Sequence, residues 1–262
     1  MTDEAPLAAM LARALGAEVA GVRGEALGTR DGVERERVRF RSGDAERSVV
    51  FERFAPRAAL EVQLLPFLSR RTPHVAKVHA RGIPPATVAA PRWLLLEDLE
   101  DAPTACGRDP REIVEALVSV EEAVARDAPA LRALGVPERS PADVVEEIAA
   151  AGAPDTAVSD ARGAARRLRG WPAVLVHGDL RCANVVTSER GVVLRSWGRA
   201  HLGCGLLDVV RLVADLVDAD DAVRGIGLSR VYAERVGVML PTDVLRGAEK
   251  LDSLMRRYLH AW

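Results

Sequence analysis

Apolar residues at helical spacing open the chain, at Leu7, Met10, Leu11 and Leu15, and Gly16 follows as a C-cap. The period then drops to two. Residues 18–24, 34–41 and 48–54 read as three strands, with Val38 and Phe40 alternating with arginines. Asp31-Gly32 and Ser42-Gly43-Asp44 supply the hairpin turns between them. A helix over about 57–70 carries Leu60, Leu64, Leu65 and Leu68, and residues 75–79 and 93–96 give two further strands. Beyond Pro110 the pattern is mainly helical. Ile113, Leu117, Val120 and Val124 form one apolar stripe, Val144, Val145 and Ile148 another, and a helix rich in Ala and Arg precedes Gly170. Short β segments at 173–176, 184–187 and 192–194 interrupt it, and helices over 206–217, 228–236 and 242–258 finish the chain. Strands gathered in one half and helices in the other predict an α+β chain of two lobes rather than a doubly wound sheet. The β-rich lobe is 1–96, an acidic hinge 97–103, and the larger, mainly helical lobe 104–262.

Composition narrows the classes. With 36 Lys plus Arg against 38 Asp plus Glu, the net charge of −2 offers no broad footprint for nucleic acid or an anionic membrane. Only two of the basic residues are lysines, Lys77 and Lys250. The stretch 206–217 is interrupted by Asp208, Arg211 and Asp215, which excludes a transmembrane span there. Three cysteines without a C-x-x-C pair make no disulfide framework, and the acidic N-terminus lacks the apolar core of a signal peptide. These features predict a soluble protein of a reducing compartment, the cytoplasm. His177, Cys182, His201 and Cys204 are all capable of binding zinc, but their spacing is irregular, and the two cysteines among small apolar neighbours read as packing residues. The glycines of residues 21–28 read as turn formers or as a phosphate-covering hairpin.

The segment with chemistry in it is Val176-His177-Gly178-Asp179-Leu180-Arg181-Cys182-Ala183-Asn184. Phosphoryl transfer to a hydroxyl needs a carboxylate to orient the attacking oxygen and accept its proton, and a neutral oxygen donor to help hold magnesium against the phosphates. Asp179 and Asn184 stand five positions apart on one loop after an apolar strand, the spacing of a kinase catalytic loop. His177 braces this loop or joins Asp179 in catalysis. The sequence here resembles the aminoglycoside phosphotransferase and choline kinase-like family of the protein-kinase-like fold. The family pattern His-Gly-Asp-x-x-x-x-Asn is matched in full, and the resemblance extends over nearly the whole chain. It implies a bilobal fold with a small β-rich N-lobe and a larger helical C-lobe. It also implies ATP and magnesium as cofactors, Asp179 as the base and Asn184 as a metal ligand. Nucleotide contacts would come from Glu97 and Leu99 at the hinge and from Glu61, the glutamate that pairs with the phosphate-binding lysine. Asp208 corresponds to a family residue that supports the loop.

Two positions of that family are filled differently. Its Ile-Asp-Trp segment, whose Asp binds metal, reads Arg195-Ser196-Trp197, so Ser196 stands at the metal-ligand position. A neutral hydroxyl lacks the anionic oxygen that a hard cation prefers. The phosphate-binding lysine of the third strand is replaced by Glu52, or by Arg53 if the register slips by one. Arginine is not equivalent to lysine at such a site. The two replacements predict impaired catalysis or a pseudokinase that binds a nucleotide or small-molecule ligand, with a protein partner as a further class. The alternative is an active ATP-dependent O-phosphotransferase of a small hydroxylated molecule, with Asp179 as base and Arg53 as phosphate clamp.

Overall fold

The computed structural model describes residues 4–30, 32–55, 60–83, 92–107, 109–216 and 222–259. The chain divides into two compact units, Met1–Ala102 and Pro103–Trp262. The first begins with α1 (Glu4–Leu15) and three long strands, β1 (Ala20–Arg30), β2 (Val33–Ser42) and β3 (Ala45–Phe54). Then come α2 (Leu60–Leu68), β4 (Val78–Gly82) and β5 (Arg92–Glu97). The strands make one antiparallel sheet in the order β1-β2-β3-β5-β4.

Leu7 and Leu11, one helical turn apart, pack with Val22, Val38, Phe40, Val49, Phe51 and Leu95. Burying each Leu or Phe contributes about 1.5–3 kcal/mol, so this cluster fixes which sheet face lies against α1. Residues two apart on a strand share a face. Val49, Phe51 and Arg53 therefore belong to the α1 face of β3, and Val50 and Glu52 to the other.

β1 is longer than expected and takes in the whole glycine-rich stretch 21–28, with register shifts between Ala20 and Arg23 and between Ala26 and Gly28. The expectation that these glycines make a turn is corrected. At Gly24 the strands run close, and a Cβ there would displace the carboxylate end of Glu36 on β2. Asp31 and Arg57, where a turn and a helix start were predicted, lie outside the described residues, as does Val217.

The second unit contains α3 (Pro110–Val124), α4 (Ala128–Ala133), β6 (Glu138–Arg139), α5 (Pro141–Ala150), α6 (Asp155–Arg167) and β7 (Ala173–Val176). They are followed by β8 (Val185–Ser188), β9 (Gly191–Leu194), β10 (His201–Cys204), α7 (Leu206–Leu216), α8 (Ala222–Arg235) and α9 (Thr242–Tyr258). Local chemistry sets several starts. Asp109 caps α3 with Pro110 at its first position, and Ser140 with Asp143 forms a capping box on α5. α4, β6 and β10 are additions to the predicted elements. β10 pairs with β7 and β6, and β8 pairs with β9.

One expectation is overturned. Cys106 and Cys182, 76 residues apart in sequence, are joined by a disulfide across a Cα–Cα distance of 5.5 Å. The backbone brings them together: Thr187 N–H donates to Pro103 O at 2.8 Å, Thr104 bridges to Val186, and Thr104 Oγ1 donates to Cys182 O at 3.1 Å. Cys182 is thus a cross-link of the loop and not a packing residue, and the argument for a reducing compartment from cysteine count loses its basis. Cys204 is a buried free thiol whose pKa burial pushes up to about 12. Among the described residues no helix is long and apolar enough to cross a membrane.

Candidate functional site

The apolar strand β7 delivers His177-Gly178-Asp179 into the interior of the second unit. Gly178 adopts φ +81°, and a Cβ on it would sit 2.2 Å from Arg199 O, so only glycine fits this turn. The N–H groups of His177 and Gly178 donate to the two carboxylate oxygens of Asp208 on α7, at 2.5 and 3.0 Å. Asp208 is fully enclosed, and burial pushes its pKa up to about 7 against the pull of those two donors.

His177 is also fully buried. Its Nε2 lies 2.8 Å from Arg195 O and its Nδ1 lies 3.2 Å from the Asp179 backbone N. A carbonyl only accepts and an amide N–H only donates, so the proton sits on Nε2. Burial lowers the His177 pKa to about 4, and the neutral ring packs on Trp197 with centroids 4.6 Å apart. Both ring nitrogens are engaged in holding the loop, which makes His177 a brace.

Asn184 closes the motif. Its Nδ2 donates to Asp179 O at 2.8 Å and to Asp179 Oδ2 at 3.0 Å. The Asp179 carboxylate is also gripped by Arg181, with Nη2 donating to Oδ2 at 2.7 Å and Nε 2.7 Å from Oδ1. Arg195 N–H donates to Asn184 O at 2.8 Å. Together with the His177 bond, this fixes Ser196 beside the loop. Ser196 has φ +64°, a left-handed conformation uncommon outside Gly, Asn and Asp. The structure thus brings Asp179, His177, Asn184 and Ser196 together.

These residues do not fit a magnesium ion. The available donors are one amide side chain, one neutral hydroxyl and a carboxylate already ion-paired to Arg181, whereas hard divalent cations select anionic oxygens. Among the described residues no group of three or more His, Cys, Asp or Glu is placed to hold a metal.

The remaining candidates lie in the first unit. Glu52 ion-pairs with Arg35, its cross-strand neighbour on β2, at 3.1 Å, and Arg35 also pairs with Glu100. Beside them Arg37 pairs with Asp98 at 2.7 Å and with Asp101 at 2.9 Å. Arg53 points to the opposite face. Its guanidinium lies 4.6 Å from the Phe51 ring centroid and donates to Glu36 at 2.9 Å. Glu52 and Arg53 are therefore not interchangeable by a slip of register, because the pairing with β2 and β5 fixes it. Glu61 is buried in the first turn of α2, Glu97 Oε1 accepts the Lys77 N–H at 3.0 Å, and Leu99 is buried.

Sequence reasoning did not identify Arg35, Arg37 or the arginine partners of α7 and α9. Asp208, Arg211 and Asp215, at i, i+3 and i+7, line one face of α7. That spacing is the signal that could have marked them as one polar face, of which Asp208 and Arg211 are buried and Asp215 is exposed.

Comparison with known proteins identifies the fold and the family. Residues 26–240 match the phosphotransferase enzyme family. No curated protein matches the sequence. Among solved structures, a spectinomycin phosphotransferase, crystallised with ADP and spectinomycin, is 11% identical at a TM-score of 0.62, over 99% of this chain and 88% of that one. A choline/ethanolamine kinase family protein from Mesorhizobium loti is 16% identical at 0.62, over 90% and 78%. An aminoglycoside phosphotransferase from Streptomyces rimosus is 18% identical at 0.52, over 97% and 99%. At these identities the structures establish a shared kinase-like α+β fold. The sequence match covers most of the chain, and the chain belongs to the phosphotransferase enzyme family.

Proposed function

We propose that this protein binds a nucleotide and a small hydroxylated ligand in a phosphotransferase frame whose magnesium-dependent turnover is lost or strongly reduced. The observation that carries the reading is Ser196. By resemblance it stands at the sequence position of the family's metal aspartate, and it supplies only a neutral hydroxyl. Glu52 supports the same reading, since a carboxylate tied to Arg35 replaces the cation that would hold phosphates. Electrostatic contacts of this kind each account for a factor of about 10² to 10³ in rate.

Relatives crystallised with ADP or with a nucleotide analogue support nucleotide binding. Asp179 keeps the geometry of a base that could orient a hydroxyl, once that hydroxyl displaces Arg181 from one carboxylate oxygen. The test is steady-state ADP release with magnesium and ATP, across hydroxylated acceptors. The expected rate is far below the roughly 1 s⁻¹ of an ordinary enzyme, and turnover at that rate with any acceptor would overturn the proposal in favour of an active O-phosphotransferase.

A further inference from the structure

A cavity of about 230 Å³ in the second unit is lined by Arg181, Arg211, Ala214, Asp215 and Arg256. Arg181 is the residue that grips the Asp179 carboxylate, so the cavity adjoins the loop directly. Three guanidinium groups face one lining carboxylate, and that carboxylate, Asp215, already accepts the Cys182 N–H at 2.7 Å. Behind the lining, the buried Asp252 of α9 lies 3.4 Å from Arg211 Nη1 and 2.9 Å from Arg256 Nε. One carboxylate thus serves two arginines.

Arg211 is only 5% exposed, and its buried Nε has no hydrogen-bond partner. Burial lowers the Arg211 pKa, and repulsion from Arg256 and Arg181 adds to the effect, while Asp252 and Asp179 oppose it. A buried donor left unsatisfied costs about 1–3 kcal/mol, more when charged. Guanidinium forks match carboxylate and phosphate oxygens in pairs, so an anion in this cavity would satisfy that donor and separate the three charges. An amine-bearing ligand would meet the excess of positive charge instead.

We infer that the cavity between Arg181, Arg211 and Arg256 holds the anionic group, a carboxylate or a phosphate ester, of the protein's small hydroxylated ligand and so directs the ligand's hydroxyl toward Asp179. The inference rests on the small-ligand reading of the frame but not on whether turnover survives.

Calorimetric titration of the full chain with inorganic phosphate, glycerol 3-phosphate, glycerate and glycerol, without nucleotide, tests it. Binding of the three anions, with none for glycerol, is expected, and Arg256→Gln should weaken it at least tenfold. Arg256 is half exposed, so this variant should fold, which its melting curve would verify. Arg211→Lys keeps a cation beside Asp252 but removes the fork, and should weaken the anions likewise. Anion binding equal in the parent and both variants, glycerol binding as well as glycerate, or ADP displacing the bound phosphate would each overturn the assignment. Fast magnesium-dependent turnover together with arginine-dependent anion binding would instead sink the impaired-catalysis reading and leave this site standing.

Discussion

The loop after β7 and the strand β3 both fall where the family resemblance puts working parts, and the fold holds them differently. In the loop each motif residue is held by the fold itself. Asp208 takes the His177 and Gly178 N–H groups, His177 packs on Trp197, Gly178 clears Arg199, and Asn184 ties back to Asp179. Removing any of these leaves a buried polar group unpaired, a packing gap or a clash. On β3, Glu52 faces away from the α1 core and is paired there with Arg35. The fold alone therefore gives reason to keep the motif at 177–184, whatever its chemistry, whereas Glu52 is held by a single cross-strand ion pair. A matched catalytic loop is evidence of fold before it is evidence of turnover.

The largest expected effect comes from undoing the replacements. Ser196→Asp combined with Glu52→Lys should raise magnesium-dependent ATP turnover by at least about 10²-fold, measured as phosphate or ADP release. A folded double variant with no gain would mean that the deficit lies elsewhere. Next, Asp208→Ala strands two buried N–H groups at roughly 1–3 kcal/mol each, so the melting temperature should fall by roughly 10 °C. A variant as stable as the parent would show that the fold does not hold the loop.

A smaller effect tests the packing around β7. Glu121 on α3 accepts the Tyr232 hydroxyl at 3.0 Å, and burial holds its pKa well above the ordinary carboxylate value. The folded state then binds the proton more tightly than the unfolded state, so the parent loses this contribution as pH rises above about 4.5 toward the folded pKa. Glu121→Gln, a neutral mimic, should gain stability relative to the parent as pH rises from about 5 to 7, followed by denaturant unfolding. A difference that does not change with pH would show the carboxyl to be ionised. The smallest effect is expected at Arg53. Because it lies on the α1 face with Phe51 and Glu36, Arg53→Gln should leave nucleotide affinity within about twofold, and a tenfold loss would restore it as a phosphate clamp.

Local signals were the legible ones. The helices around Leu117, Ile148 and Leu251 follow their apolar stripes, and His177, Asp179 and Asn184 could be placed on one loop because the motif is contiguous. What sequence hid depends on distant partners. The Cys106–Cys182 bond closes 76 residues and has no local spacing to betray it. β10, with Gly203 in its middle, is a strand only because β7 and β6 flank it. The choice between Glu52 and Arg53 required knowing which face of β3 meets α1. Arg211 and Asp215 read only as interruptions of an apolar run, because the buried partner of Arg211, Asp252, lies on α9 far along the chain.

The most direct test of the central claim is a thermal-shift titration with ATP, once with magnesium and once with EDTA. Nucleotide at about 100 times its dissociation constant adds about 2.7 kcal/mol, roughly 5–10 °C for a chain of this size. If the metal position has been lost, the rise is the same in both conditions. A rise that appears only with magnesium would contradict the account, because it would show a working metal site despite Ser196.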